Sequence, residues 1–259
     1  MATTSNKLSK NLINEFLTAR KRASPLIGTG VMLCILAASP LLLLISLNAG
    51  GIFSFPNKSI VMLGVIILLI IVSIGCGFLI MGSHFVKIHH NLEYENCELS
   101  ATTQKNILNQ YRAYANTHLR LKIAGVALCI LAAVPILASI FLTDFLANSN
   151  VDAVITGSVS LTLLLIAVGV FLIVKTDTIS DSFKILLQID DYSPSHKAAR
   201  KAIEKYSGLY WLIITLIYLA YSFFTYNWHQ SWIVWPLAGI LYSIIENILS
   251  FRNKKALSE

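Results

Sequence analysis

The stretch GVMLCILAASPLLLL, residues 30–44, decides the class of fold, because it is free of charge and belongs to a longer apolar run. A helix needs about 20 mostly apolar residues to cross the hydrocarbon core of a bilayer. Backbone polar groups cannot stay unpaired in lipid, so each run of that length is expected to be helical. Six runs qualify, at 26–47, 59–82, 122–143, 153–174, 209–226 and 231–250. The sequence therefore predicts an all-α polytopic membrane protein with six transmembrane helices.

The composition of the whole chain agrees with this fold class. Of its 259 residues, 56% are hydrophobic and 13% are charged, and the mean hydropathy is +0.69. Soluble proteins average about 25% charged residues. No cleaved signal peptide is expected, because a polar and basic segment precedes a first apolar run that is long enough to span. Three of the four cysteines fall inside apolar runs, which argues against a secreted disulfide scaffold.

The positions of Lys and Arg predict the orientation. Nineteen of the 20 lie in the N-terminal segment, in or beside the 83–121 and 175–208 loops, and in the C-terminal tail. Lys58 is the exception, in one of the alternate loops. The positive-inside rule then places both termini in the cytoplasm, and the expected location is the cell membrane. The formal charge of +7 is accordingly attributed to topology and to contact with anionic membrane lipids.

The spans and loops give the predicted organisation of the chain. In the N-terminal segment, Leu8, Leu12, Phe16 and Ala19 share one face of a helix. Such a basic amphipathic helix is expected to lie in the headgroup plane, with docking to a partner protein as the alternative. The predicted segments are 1–25 (basic, amphipathic), 26–82 (first membrane hairpin), 83–121 (cytoplasmic helical loop), 122–174 (second hairpin), 175–208 (cytoplasmic basic loop and helix), 209–251 (aromatic-rich hairpin) and 252–259 (cytoplasmic tail).

An internal repeat relates the first two hairpins. GVMLCILAASPLLLL aligns with GVALCILAAVPILAS at 125–139, with ten of fifteen positions identical. Cys34 and Pro40 match Cys129 and Pro135 at equal spacing. Two hairpins that enter from the same side form a parallel repeat. Pro40 and Pro135 are candidate helix breaks, which either shape packing or bracket a central binding site, as paired breaks do in transporters.

Recognisable catalytic or metal-binding motifs are missing from the sequence. His84, His89 and His90 lie in the 83–121 loop, but His84 and His89 are five residues apart, whereas two ligands on one helical face are three or four apart. No metal or cofactor is predicted. Glu246 and Asn247 are the candidate intramembrane polar residues. We interpret Glu246 as snorkelling or pairing, with a proton relay as the alternative.

The stretch TYNWHQSWIVWPLAGI, residues 225–240, concentrates aromatic side chains at the predicted external end of the last hairpin. Trp228, Trp232 and Trp235 are spaced i, i+4 and i+7, which predicts one face of a helix, beside Tyr226. One interpretation is an aromatic belt that anchors the hairpin at headgroup depth. The other is an external aromatic ledge that recognises a lipid-linked molecule or a peptide.

The same hairpin carries a resemblance to a known type of protein. Residues 206–248, with the pattern YW…T.IYL..SF.T..W..SWI.WP.AG, resemble the last two spans of an uncharacterised multi-span module of Gram-positive bacteria. The similarity covers roughly residues 20–252. That module often follows a Cro/C1-type helix-turn-helix domain, and the resemblance implies a role in sensing envelope conditions. Only about 25 residues precede the first span here, so no such domain and no direct nucleic-acid binding are expected.

These observations favour a non-enzymatic sensor or accessory subunit that acts through cytoplasmic helices on a partner protein. Membrane lipids, a cytoplasmic partner and a second copy of the chain are the expected contacts. The alternative is a small transporter or an antimicrobial-peptide immunity protein, and a lipid-modifying enzyme is third. A transporter predicts a polar cavity near Pro40 and Pro135, whereas a sensor predicts dry packing there.

Overall fold

A computed structural model describes residues 6–7, 10–53, 55–88, 92, 97–143, 151–226 and 228–256. Within these ranges the chain is almost entirely helical, which confirms the predicted all-α class. The one strand pairing found there is a parallel match of Asn6 with Cys97 and of Lys7 with Glu98. The elements are β1 (Asn6–Lys7), α1 (Lys10–Leu36), α2 (Ser39–Ala49), α3 (Asn57–Lys87), β2 (Cys97–Glu98), α4 (Ala101–Leu131), α5 (Val134–Thr143), α6 (Val151–Leu187), a 3₁₀ turn (Asp190–Tyr192), α7 (Pro194–Thr225), α8 (Trp228–Ser231) and α9 (Val234–Ala256).

The helices confirm a polytopic membrane protein. In the described part of the chain, five helical stretches are long and apolar enough to cross a bilayer. They are Lys10–Ala49, Asn57–Lys87, Ala101–Leu142, Val151–Leu187 and Ser207–Thr225. The sixth predicted span corresponds to a shorter apolar helix, Val234–Ile248.

The chain divides into two compact units. The larger consists of Ser9–His89 and Ser100–Phe183, and so contains α1 to α5 and most of α6. The smaller consists of Met1–Leu8, His90–Leu99 and Lys184–Glu259, with the β1–β2 pair and α7 to α9.

The helices extend well beyond the apolar runs. α1 starts at Lys10 and continues through Pro25, so the amphipathic segment is part of the first spanning helix and not a separate one. Its buried face holds Ile13, Phe16 and Leu17. Of the predicted face, Phe16 is buried and Leu12 is 37% exposed, and Leu8 lies outside the described residues. Ile13, Phe16 and Leu17 pack inside the larger unit.

The α1–α2 pair packs along the whole apolar part of α6. Four contacts join them, and in each the two residue numbers add to the same value, so the helices are antiparallel and in constant register. These contacts are Ser24 with Lys175, Gly28 with Phe171, Ser39 with Ser160, and Ser46 with Ala153. α6 is therefore a central helix of the larger unit.

Two pairs of glycines allow two other close contacts between helices. Gly30 on α1 faces Gly75 on α3, where an added Cβ would lie 3.0 Å from the Gly75 carbonyl oxygen. Gly125 on α4 faces Gly169 on α6, and there the distance would be 2.7 Å. Small residues let transmembrane helices approach closely without a hydrophobic driving force. Gly30 and Gly125 are aligned with each other in the predicted repeat, and the duplication itself stays a prediction.

Each predicted proline break lies just after an interruption of the helix. Residues 37–38 separate α1 from α2, and residues 132–133 separate α4 from α5. Pro40 and Pro135 are then the second residues of the helices that follow. A proline has no N–H to bond the carbonyl four residues earlier, but its fixed φ suits the first turn of a helix. The chain therefore restarts the helix at these positions.

Candidate functional site

A buried seam of hydroxyl groups joins α2 to α6 beside the first proline. The Oγ atoms of Ser39 and Ser160 are 2.7 Å apart. Each hydroxyl also lies within 3.2 Å of the other residue's backbone carbonyl oxygen. Further out, the Ser46 hydroxyl donates to the Ala153 carbonyl at 2.6 Å. The space next to Pro40 is thus filled by direct contact between the two helices.

The second proline has a similar neighbourhood. Ser139, on α5 after Pro135, is 2% exposed. Its Oγ lies 3.1 Å from that of Ser158 on α6, and its hydroxyl donates to the Ile136 carbonyl at 2.7 Å. The two proline positions are therefore lined by small hydroxyl side chains that bond to each other and to nearby carbonyls. In lipid such contacts hold helices together.

A charged cluster joins α4 to α6 near the end of the apolar run. The Asp177 carboxylate lies 2.8 Å from His118 Nε2 and accepts from Lys122 Nζ at 3.0 and 3.2 Å. One residue earlier, the Thr176 hydroxyl is fully buried and lies 3.0 Å from Tyr114 Oη. This cluster links the two helices through the ion pair of Asp177 with Lys122 and through the hydrogen bond of Asp177 with His118.

Sequence reasoning did not single out this cluster. One signal was available, because Tyr111, Tyr114, His118 and Lys122 recur every three or four residues and so share a helical face. The other half of the cluster lies on a different helix. Asp177 was assigned to a loop, although α6 continues past it to Leu187.

The predicted aromatic ledge is distributed differently from what its spacing indicated. Trp228, Trp232 and Trp235 do not share one continuous helical face, because residues 232–233 interrupt the helix between α8 and α9. Trp228 and Trp235 both contact Tyr218, with ring centroids 6.3 and 5.6 Å apart. Trp232 is 58% exposed, and Tyr226 at the tip of the hairpin is 82% exposed.

Most of the aromatic side chains form a ladder along the interface of α7 with α8 and α9. Trp235 stacks on Trp211 with centroids 6.2 Å apart, and Tyr210 lies 5.5 Å from Tyr242. Trp228 lies beside Tyr218 and Phe223 of α7, and Trp235 beside Trp211 and Tyr218, so the two indoles are about six residues of α7, or about 9 Å, apart along the hairpin. A belt at a single depth therefore does not describe this aromatic ladder, whose members are Tyr210, Trp211, Tyr218, Phe223, Trp228, Trp235 and Tyr242.

Hydrogen bonds fix the two sides of this hairpin. Near the tip, the buried Ser222 hydroxyl donates to Ser231 Oγ at 2.8 Å. Further along, Tyr210 Oη donates to the Ala238 carbonyl at 2.6 Å. Tyr226 ends α7 with φ of 54° in the left-handed region, which costs a residue other than glycine about 1 kcal/mol. The tip is therefore a tight turn that leaves Tyr226 pointing away from the packed interface.

The other candidate residues are only partly covered by the structure. Asn247 Nδ2 donates to the Ser243 carbonyl within its own helix at 3.0 Å, and Glu246 is half-buried. The side chain of Arg252, a suggested partner of Glu246, lies outside the described residues. His84 is near the end of α3, with its ring 6.2 Å from that of Phe85.

The described residues of the 83–121 loop do not support metal binding there. His89 and His90 lie outside the described part of the chain. Among the described residues, no group of three His, Cys, Asp or Glu side chains could hold a metal ion.

Comparisons with known proteins give no relative for this arrangement. No family model, no curated protein and no solved structure matches the chain.

Proposed function

We propose that this integral membrane protein is a non-enzymatic sensor or accessory subunit that acts through the extended helix ends on a partner protein. The observation that carries the proposal is the continuity of α6, which runs for 37 residues from Val151 to Leu187. At 1.5 Å per residue it is about 55 Å long, whereas the hydrocarbon core is about 30 Å thick. One unbroken helix therefore holds both the hydroxyl seam and the Asp177 cluster.

The basic end of the larger unit is the proposed output face. It consists of the start of α1, the end of α3, the start of α4 and the end of α6. The contact of Gly82 with Ile27 joins α3 to α1, the bond of Ser24 to Lys175 joins α1 to α6, and the ion pair of Lys122 with Asp177 joins α4 to α6. We assign this end to the cytoplasm because Lys and Arg collect there. On α4 it presents the exposed side chains of Arg112 and Arg120 to a partner.

Packing beside the prolines favours a sensor over a transporter. A transporter needs a polar site open to water at mid-bilayer in at least one state. Ser39 and Ser160 instead bond to each other directly, and they are 8% and 5% exposed. A seam closed in this way transmits movement from one helix to the other and leaves no room for a solute between the two residues.

Cysteine accessibility separates these two functions. Ser39→Cys and Ser160→Cys are made in a cysteine-free background and exposed in vesicles to a membrane-impermeant maleimide from either side. Lys58→Cys and Arg112→Cys serve as controls for the external and the cytoplasmic side. A sensor leaves both seam positions unlabelled while each control reacts from its own side. Labelling of either seam position from either side would support the transporter and contradict the proposal.

The action on a partner is tested by photocrosslinking in cells. A photoreactive amino acid replaces Arg112 or Arg120, with Leu137 on the exposed apolar face of α5 as the control position. We expect one discrete protein adduct at the α4 positions, none at Leu137, and a changed yield when Ser39 and Ser160 are both replaced by Ala. The absence of any adduct at the α4 positions would contradict the proposal.

A further inference from the structure

A cleft separates the first turns of α1 from the last turn of α3, at the basic end of the larger unit. Its volume is about 380 Å³, within the usual range for small-ligand sites. We call it the headgroup cleft. The side chains that matter to its chemistry are Asn14, Glu15, Thr18 and Arg22 from α1, and Phe85 and Ile88 from α3.

Opposite charges line the two ends of this cleft. Glu15, Thr18 and Arg22 are spaced i, i+3 and i+7, so they share one face of α1. Glu15 and Arg22 are both exposed, and among the described residues the side chain of neither makes a hydrogen bond or an ion pair. Along the helix they are about 10 Å apart. The cleft therefore offers a cationic and an anionic group with a hydroxyl between them.

The two charged side chains lie at different depths relative to the predicted bilayer. The predicted apolar runs begin at residue 26 and end at residue 82, so Arg22 and Phe85 lie about 5 Å outside the hydrocarbon. This is the depth of the lipid phosphates. Glu15 lies further out, towards the aqueous side. The cation is thus placed at phosphate depth and the anion beyond it.

The end of α3 forms the opposite wall of the cleft. α3 ends at Lys87, and Phe85 in its last turn and Ile88 just after it line the cleft. This wall is apolar, and Glu15 is the group that favours a cation in the outer part of the cleft.

We propose that the headgroup cleft binds a phospholipid whose headgroup is phosphoethanolamine. Arg22 and Thr18 donate to the phosphate, Glu15 accepts from the primary ammonium, and Phe85 and Ile88 contact the carbons between them. An anionic headgroup lacks the cation that Glu15 needs. A choline headgroup lacks the N–H donors. This lipid site goes beyond the proposed sensor function and does not depend on it.

Native mass spectrometry of the protein released from nanodiscs tests the site. The nanodiscs contain equal parts of phosphatidylethanolamine, phosphatidylglycerol and phosphatidylcholine. We expect the wild-type chain to retain the ethanolamine lipid about tenfold more than the choline lipid, the loss expected when one charge-assisted hydrogen bond is missing. Glu15→Gln and Arg22→Gln should each reduce that retention by about the same factor.

Matched variants control for charge alone. Lys21→Gln removes a positive charge next to Arg22 but outside the cleft, and Asp191→Asn removes an exposed negative charge elsewhere. Both should retain the ethanolamine lipid like the wild type. Equal retention of all three lipids, or retention unchanged in both cleft variants, would overturn the proposal. So would a loss with Arg22→Gln alone accompanied by preference for phosphatidylglycerol, because that pattern marks a general anionic-lipid contact.

The lipid must also be distinguished from a soluble compound with the same headgroup. Protein in detergent is titrated with O-phosphoethanolamine, and its binding is followed by mass. Weak or absent binding of the free headgroup together with retention of the lipid supports a membrane-lipid site. Binding of the free headgroup with no retention of the lipid would overturn the assignment to a lipid.

Discussion

Ser39 and Ser160 bond reciprocally across α2 and α6, with Oγ atoms 2.7 Å apart and each hydroxyl within 3.2 Å of the opposite carbonyl oxygen. In the bilayer no water competes for these groups, so an unpaired hydroxyl is costly there. The pair can form only in one register of the two helices. It therefore fixes the position of α2 along the axis of α6. This matters next to Pro40, because the helix interruption before that residue leaves the backbone of α2 free to shift along α6.

The first prediction concerns the coupling between these two serines. Ser39→Ala and Ser160→Ala should each lower the free energy of unfolding by about 1 kcal/mol, with a coupling of about 0.6 kcal/mol between them. The coupling stays modest because a lone serine can bond to a carbonyl of its own helix. Unfolding by detergent titration of both single variants and the double variant measures it. Ser83→Ala is the control, since that hydroxyl bonds only to Ile80 nearby. Strictly additive losses would show that the pair does not act as a unit.

The second prediction compares two glycines. An added Cβ at Gly125 would lie 2.7 Å from the Gly169 carbonyl oxygen, a backbone atom that cannot move aside. Gly125→Ala should therefore destabilise the protein by about 1–3 kcal/mol. At Gly77 the added Cβ meets nothing within 4 Å, so Gly77→Ala should be neutral or stabilising by up to about 1 kcal/mol. Thermal unfolding in detergent compares the two. Equal effects of the two substitutions would mean that α4 and α6 lie further apart at Gly125 than in this structure.

Local sequence patterns were sufficient to predict the helical membrane fold. Charge-free runs of about 20 residues have no alternative to a helix in lipid, and the proline positions coincide with restarts of the helix. The predicted continuation of the 175–208 segment into the fifth span is also present, since α7 runs unbroken from Pro194 to Thr225. These features depend on the composition of single segments.

Contacts between two helices could not be predicted from local sequence patterns. The partner of His118 is Asp177, 59 residues away, and no pattern within either segment links the two. The packing of Trp235 could not be predicted for a related reason. Its stacking on Trp211 and Tyr218 depends on how α9 packs against α7, whereas its spacing from Trp228 indicates only a shared helical face.

The third prediction concerns the Asp177 cluster. Asp177→Asn removes the ion pair with Lys122 and changes the hydrogen bond with His118. These two partner side chains are partly exposed, at 45% and 21%. We expect a loss of about 1 kcal/mol in stability, because solvent weakens pairs at this exposure. The loss should shrink at high salt, where the charges are screened. Thermal unfolding at low and high salt measures it, with Asp191→Asn as the control. A loss that is independent of salt would assign the role of Asp177 to packing.

The last prediction distinguishes the aromatic ladder from a belt. Variants that keep one of Trp228, Trp232 and Trp235 as the sole tryptophan are reconstituted with lipids brominated at defined depths. Trp228 should be quenched best by shallow bromines and Trp235 by bromines about 9 Å deeper. The reason is their position along the unbroken α7, where Trp228 lies beside Tyr218 and Phe223 and Trp235 lies about six residues closer to Trp211. Trp232 should be quenched most strongly, since it is 58% exposed, whereas Trp235 keeps the contact with Tyr218 after Trp211 is replaced. The same depth for all three would restore the belt, and would mean that the packing of Trp235 against α7 does not persist in the bilayer.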